Sequence, residues 1–174
     1  MADRVPARIR VAVDLVDPAP DARVLEVGCG PGVAMALLCD RLVDGHVTGL
    51  DRSATAIERA EKRLRRRLDD GTADLQHRDL TAFHGDGRPY DVVFAVDVNL
   101  FWTGPADAAT ARLRDLVAED GRVHLLFRTP DGVDDDRPAR LTAAALERAG
   151  FDTRTTVLDG VRCVTGTPRP PDAP

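Results

Sequence analysis

The sequence predicts an α/β protein built as a doubly wound sheet with helices on both faces. Five short apolar runs alternate with stretches of helical period. One of those runs, VLEVGCGPG (24–32), turns through three glycines into the next helix. The chain then closes on two alternating runs around Asp159-Gly160. Hydrophobic residues make up 43% of the 174 and aromatics only 4%, so Val, Leu, Ala and Ile must build the core. That composition suits buried parallel strands.

The elements follow in order. Ile9, Val13 and Val16 recur at helical spacing over 7–16, and DPAPDA then breaks the chain. RVLEVG reads as the first strand, VAMALLCDRLV as a helix and HVTGLD (46–51) as the second strand. Ser53 is an N-cap for a helix with Ala56, Ile57, Ala60 and Leu64 on one face. Its other face carries Arg59, Lys62, Arg63, Arg65, Arg66 and Arg67, read as a solvated helix end. ADLQHRDL (73–80) is the third strand, ending near Asp79, and YDVVFAVDV (90–98) the fourth, apolar enough to be central. Helix ATARLRDLVAE, a turn at Asp120-Gly121, strand RVHLLFR, an acidic loop over 129–137 and helix RPARLTAAALERAG come next. FDTRTTVLDGVRCVTGT is a hairpin. A single domain is expected over 1–167, with 1–20 as a short helix and linker and 168–174 as a disordered tail.

A net charge of −5 argues against nucleic acid or an anionic membrane as partner. Cys29, Cys39 and Cys163 form no CxxC pair and are odd in number, which favours free thiols in a reducing compartment. Nothing resembles a signal peptide, and no apolar run reaches the ~20 residues of a membrane span. A cytoplasmic location is the expectation.

The glycine turn calls for a ligand. Glycines allow positive φ and close approach, and a helix N-terminus presents unpaired N–H groups. Asp51 ends the second strand, where a carboxylate can accept both hydroxyls of a ribose. A dinucleotide motif wants G-x-G-x-x-G/A, but here Gly28 and Gly30 are followed by Val33, and the pattern is Glu26-x-Gly28-x-Gly30-x-Gly32. A pyrophosphate disfavours nearby carboxylates, whereas Glu26, Asp51, Asp79 and Asp97 all fall at the carboxyl edge of the strands or in the turn. Four acids there suit a cationic ligand.

With VLEVGCGPG, HVTGLDRS, HRDL, YDVVFAVDVNLFW and EDGRVHLLF in this order, the chain resembles the class I S-adenosylmethionine-dependent methyltransferases, Rossmann-like enzymes, along nearly its whole length. The resemblance implies a seven-stranded sheet of order 3-2-1-4-5-7-6 with strand 7 antiparallel. It implies S-adenosyl-L-methionine as cofactor and S-adenosyl-L-homocysteine as product. Gly28, Gly30 and Gly32 would lie beside the methionine moiety, with Glu26 near its ammonium. Asp51 would hold the ribose, Arg52 would flank the adenine, and Asp79 and the Leu80 N–H would meet its polar edge. The backbone of Val96 and Asp97 would line the methionine end.

Methyl transfer from a sulfonium needs mainly proximity, so a catalytic dyad is not required. The acceptor is expected over DVNLFWTGP, with Asn99 as a polar contact and Phe101 and Trp102 as an apolar wall. Asn99 and His84 are the candidates for a catalytic role. His46, His77 and His124 read as structural, and Cys29 as a packed residue. Asp131 and Asp134 to Asp136 invite a magnesium reading, but a flexible acidic loop is preferred, and no metal is expected. The resulting expectation is a methyltransferase acting on a small organic acceptor. The alternatives are a non-catalytic cofactor-binding partner subunit and an NAD(P)-dependent oxidoreductase. Few segments are available to cover the substrate, so a second subunit, as in a homodimer, stays open.

Overall fold

The computed structural model describes residues 5–128 and 136–170. The chain runs α1 (Ala7–Val16), β1 (Arg23–Val27), α2 (Val33–Cys39), β2 (His46–Asp51), α3 (Ala54–Asp69) and β3 (Ala73–His77). It continues through β4 (Tyr90–Val96), α4 (Asp107–Leu116), β5 (Val117–Arg128), α5 (Arg137–Arg148), β6 (Phe151–Leu158) and β7 (Val161–Pro168). Single 3-10 turns at Leu80–Ala82 and Asn99–Phe101 follow β3 and β4. The seven strands form one sheet of order β3-β2-β1-β4-β5-β7-β6. Strands β1 to β5 are parallel, and β7 runs antiparallel to both β5 and β6.

Alternation along the strands divides the apolar side chains between the faces. Val24, Val47, Phe94 and Leu126 point to one face, where α1, α2 and α3 pack Val13, Met35, Leu38 and Leu64 against them. Leu25, Leu50, Val93 and Leu125 point to the other, covered by α4 and α5 through Leu113 and Leu146. Burial on both faces is what makes the central strands nearly continuous apolar runs.

Several elements stop earlier than the pattern predicts. Helix α2 ends at Cys39, not Val43, because Arg41 and Leu42 turn back onto the Leu38 carbonyl and Val43 N–H donates to Pro20. Strand β3 ends at His77, since Asp79 caps the 3-10 turn by accepting from Thr81 N–H at 2.9 Å. Strand β4 ends at Val96 because Asp97 takes φ +57°. At Asp120-Gly121 the chain shifts register within β5 instead of turning into it. Asp159 (φ 47°) and Gly160 (φ 74°) make the hairpin turn with positive φ at both positions.

The tail expected from 168 does not begin there. Pro168 pairs with Phe151, and Arg169 donates to Gly150 and Phe151 carbonyls and to Asp152. Residues 171–174 and most of the expected acidic loop, 129–135 with Asp131, Asp134 and Asp135, lie outside the described residues.

Candidate functional site

The winding of the sheet reverses between β1 and β4, which lie side by side while the chain leaves them in opposite directions. Ligands in such sheets bind at the carboxyl ends of the strands beside this reversal. A cleft of about 630 Å³ opens there. Gly28 follows β1 into it, Asp51 and Arg52 follow β2, Asp79 and Leu80 follow β3, and Val96, Asp97 and Asn99 close the far side after β4. Eight of the residues singled out in the sequence therefore share one cavity.

Its three carboxylates are all held by the fold. Asp51 accepts from Gly30 N–H on Oδ2 at 2.9 Å and from Ser53 N–H on Oδ1 at 2.8 Å. It thus ties the glycine turn to the end of β2, and each oxygen keeps a lone pair for a further donor. Asp79 takes both Thr81 N–H and Thr81 Oγ1–H on Oδ1, and the Thr81 hydroxyl above all lowers its pKa. Among the described residues its Oδ2 has no partner. Asp97 accepts from Arg8 Nε on Oδ2 at 2.9 Å and from Arg128 N–H on Oδ1 at 3.2 Å.

Glu26 is different. It points from β1 to the helix α1–α3 face, is 3% exposed and does not line the cleft wall. Its Oε2 is buried and, among the described residues, has no partner. Burial pushes its pKa well above the ordinary carboxylate value, opposed by the Met35 N–H in the first turn of α2, with nearby Asp51 raising it further. A buried carboxyl with one free oxygen directly behind a glycine turn fits a cationic ligand group and is a poor neighbour for a pyrophosphate. The donors and acceptors of the site thus match an adenosine ligand carrying positive charge.

The glycines divide the work. Gly28 sits at φ +71°, and a Cβ there would fall 2.5 Å from Val98 Cγ2. Gly30 uses its N–H on Asp51. Gly32 caps α2, and a Cβ there would meet Leu64 and Ala60 of α3 at 3.0 and 3.2 Å, so its smallness serves packing between helices.

Three expectations about the acceptor side need correction. Phe101 is 1% exposed and belongs to the core beneath α5, its carbonyl facing Thr142 Oγ1, so it forms no wall. Trp102 is half-buried with its ring 4.8 Å from that of Phe127, and it does not line the cleft. His84 lies on a second cavity, of about 620 Å³, with Arg23, His46 and Tyr90 at the amino ends of the strands. It is therefore at the wrong edge of the sheet to serve as base. The two cavities are of similar size, and the position of the carboxyl-edge cleft beside the winding reversal makes it the candidate site.

Sequence reasoning missed Val98, Arg78 and Thr103 in the lining, and Arg8 behind Asp97. The first three lie within stretches that were recognised, HRDL, YDVVFAVDVNLFW and DVNLFWTGP, but were given no role there. Arg8 is 89 positions from its partner, and no local pattern announces it.

Fold and cleft together define a ligand-binding domain of the doubly wound class. Residues 25–123 match the methyltransferase domain family, and the chain belongs to it. It is 31% identical over 111 residues to trans-aconitate 2-methyltransferase of Paracidovorax citrulli, covering 63% of this chain and 39% of that one. It is 35% identical over 128 residues to nocamycin O-methyltransferase of Saccharothrix syringae, covering 70% and 43%. The chain thus spans about two fifths of the length of these relatives. Magnesium protoporphyrin IX methyltransferase of Synechocystis PCC 6803, solved with bound SAM, shares the fold at TM-score 0.70 and 23% identity, over 92% of this chain and 77% of that one. Among the described residues no helix is long and apolar enough to cross a membrane, and no three His, Cys, Asp or Glu gather as a metal site.

Proposed function

We propose that the chain binds S-adenosyl-L-methionine in the carboxyl-edge cleft and transfers its methyl group to a small organic acceptor. The observation that carries this reading is the convergence of Gly28, Asp51, Asp79 and Asp97 on one cavity, with the half-satisfied Glu26 carboxyl behind it. When bound, the cofactor supplies an electrophilic methyl group on a sulfonium. The spare lone pairs of Asp51 take the ribose hydroxyls, and Asp79 Oδ2 and the Leu80 N–H take the adenine edge beside Arg52. Gly28 gives the methionine chain its close approach, Val96 and Asp97 line its far end, and Glu26 offsets its positive charge. Asn99 then faces the acceptor. Holding acceptor and methyl in line is worth up to roughly 7–11 kcal/mol.

Relatives named for trans-aconitate and nocamycin support a small acceptor. The same reading puts the protein in the cytoplasm, with neither nucleic acid nor membrane as partner, and makes a homodimer the arrangement to test by light scattering. A second reading, a cofactor-binding subunit that depends on a partner, draws on the chain's two-fifths share of those relatives.

Thermal melts decide the cofactor. Ligand at a thousandfold its dissociation constant stabilises by about 4.1 kcal/mol, roughly 8–16 °C for a domain of this size. S-adenosylmethionine and S-adenosylhomocysteine should both give such shifts and NAD none. A shift with NAD alone would sink the reading. Release of S-adenosylhomocysteine across an acceptor panel separates the enzyme from the silent subunit.

A further inference from the structure

Resting on that proposed methyl transfer, we infer that the acceptor is a small carboxylic acid, taken as its carboxylate, and that Arg8 holds it at the methyl end of the cleft. Helix α1 starts at the carboxyl edge of the sheet, where Arg8 meets Asp97, and ends at the amino edge, where Val16 shares a cavity with Val92. Its first turn therefore stands beside the loop after β4. Arg8 does not itself line the cleft; it is 44% exposed and donates through Nε alone to Asp97, which does. Among the described residues, its two Nη groups have no partner. A guanidinium anchored through Nε presents that pair as a two-pronged edge matching the two oxygens of a carboxylate.

The surrounding charge agrees. Asp97 lines the cleft wall and alone would repel an anion. Arg8 on one oxygen and Arg128 N–H on the other offset it. The acids of the wall are also engaged as acceptors: Asp51 by Gly30 and Ser53, Asp79 by Thr81, Asp97 by Arg8 and Arg128. An acceptor that arrives ionised asks no proton transfer of them. Carboxylic acids, with pKa values near ~4, arrive so at neutral pH, whereas alcohols and amines must lose a proton during transfer. In the step itself a carboxylate lone pair forms the O–CH3 bond as the C–S bond breaks. That electron pair stays on sulfur, anion and sulfonium become neutral ester and neutral thioether, and no proton moves.

The test uses the full chain with trans-aconitate, succinate and benzoate set against phenol and benzylamine. Calorimetry with S-adenosylhomocysteine first establishes the cofactor. A carboxylate should then give a product whose methyl group is released by mild alkali, as from an ester, with kcat/KM flat between pH 6 and 9. Arg8→Gln should raise the carboxylate KM at least tenfold, leaving kcat within about threefold and the S-adenosylhomocysteine Kd within about twofold. Arg8→Lys should recover part of the loss, and Arg10→Gln on the same helix should change nothing. Bound S-adenosylhomocysteine with turnover of phenol or benzylamine alone, with no carboxylate turned over, or with an unchanged KM in Arg8→Gln overturns this inference and spares the cofactor reading. Absence of S-adenosylhomocysteine binding overturns both.

Discussion

Glu26 brings a carboxyl into the core with one oxygen unpartnered, and its raised pKa means that the folded chain holds a proton where the unfolded chain has lost it. Over that interval the folded state binds more protons, so stability falls as pH rises from about 4.5 towards the higher folded value. Glu26→Gln should remove this slope and raise the urea midpoint of the ligand-free protein at pH 8. The same variant should weaken S-adenosylmethionine, because a neutral amide offsets no cation. Cofactor binding to the wild type should also release a proton, seen as a buffer-dependent binding enthalpy; equal enthalpies in buffers of different ionisation heat would remove Glu26 from the site. Asp51 is a second residue with two duties. It ties Gly30 and Ser53 by their N–H groups, so Asp51→Ala should cost about 1–3 kcal/mol of stability as well as cofactor affinity. A variant of unchanged stability would show that these bonds brace nothing.

At the scale of elements, the turn from β1 into α2 is locked by the loop after β4. Asp97 takes φ +57° and carries Val98 over Gly28, leaving no room for a Cβ. Gly28→Ala therefore meets both a strained φ and a steric clash, the strain alone worth on the order of 1–3 kcal/mol. It should abolish measurable cofactor binding. Adding Val98→Ala should restore part of the stability but not all, since the backbone strain persists; full recovery in melts of the double variant would assign the whole effect to the clash. This lock also marks what could be read from the sequence. The strand, glycine turn and Asp51 were legible because each is a local pattern with a fixed consequence. The seven strands and their order followed from alternation, the terminal hairpin and the family resemblance. Val98 over Gly28 and Arg8 on Asp97 were not legible, because each pairs residues far apart in the chain through a single backbone angle or a long side chain. Phe101 and Trp102 were misjudged for a related reason. An apolar pair in a loop serves core or ligand equally well until the packing of α5 and Phe127 is known.

For the whole molecule, the seam that matters most is β5 against β7, where five parallel strands meet the reversed hairpin. His124 lies on that seam, 5% exposed, with Nδ1 3.2 Å from Thr165 Oγ1 across the register and Nε2 buried with no partner among the described residues. Burial, with Arg122 adding to it, depresses its pKa to about 4 from 6.5. A histidine kept neutral in the fold must be charged on unfolding, so its contribution is complete above about pH 6.5 and is lost as pH falls towards 4. The interval corresponds to roughly 3 kcal/mol, an upper figure for a group at the edge of a cavity. Asp79 and Asp86, whose pKa values are lowered, lose their contributions below about pH 4 and so fall outside this window. His124 and Glu26 impose slopes of opposite sign and share no partner, so their effects should add. Between about pH 4.5 and 6.5 the two slopes oppose each other, so His124→Gln should expose a decline that begins near pH 4.5, Glu26→Gln should leave a rise up to about pH 6.5, and the urea midpoint of the double variant should vary less with pH than that of either single variant. An acid limb that survives His124→Gln unchanged would mean that the β5–β7 seam does not set the acid stability of the sheet.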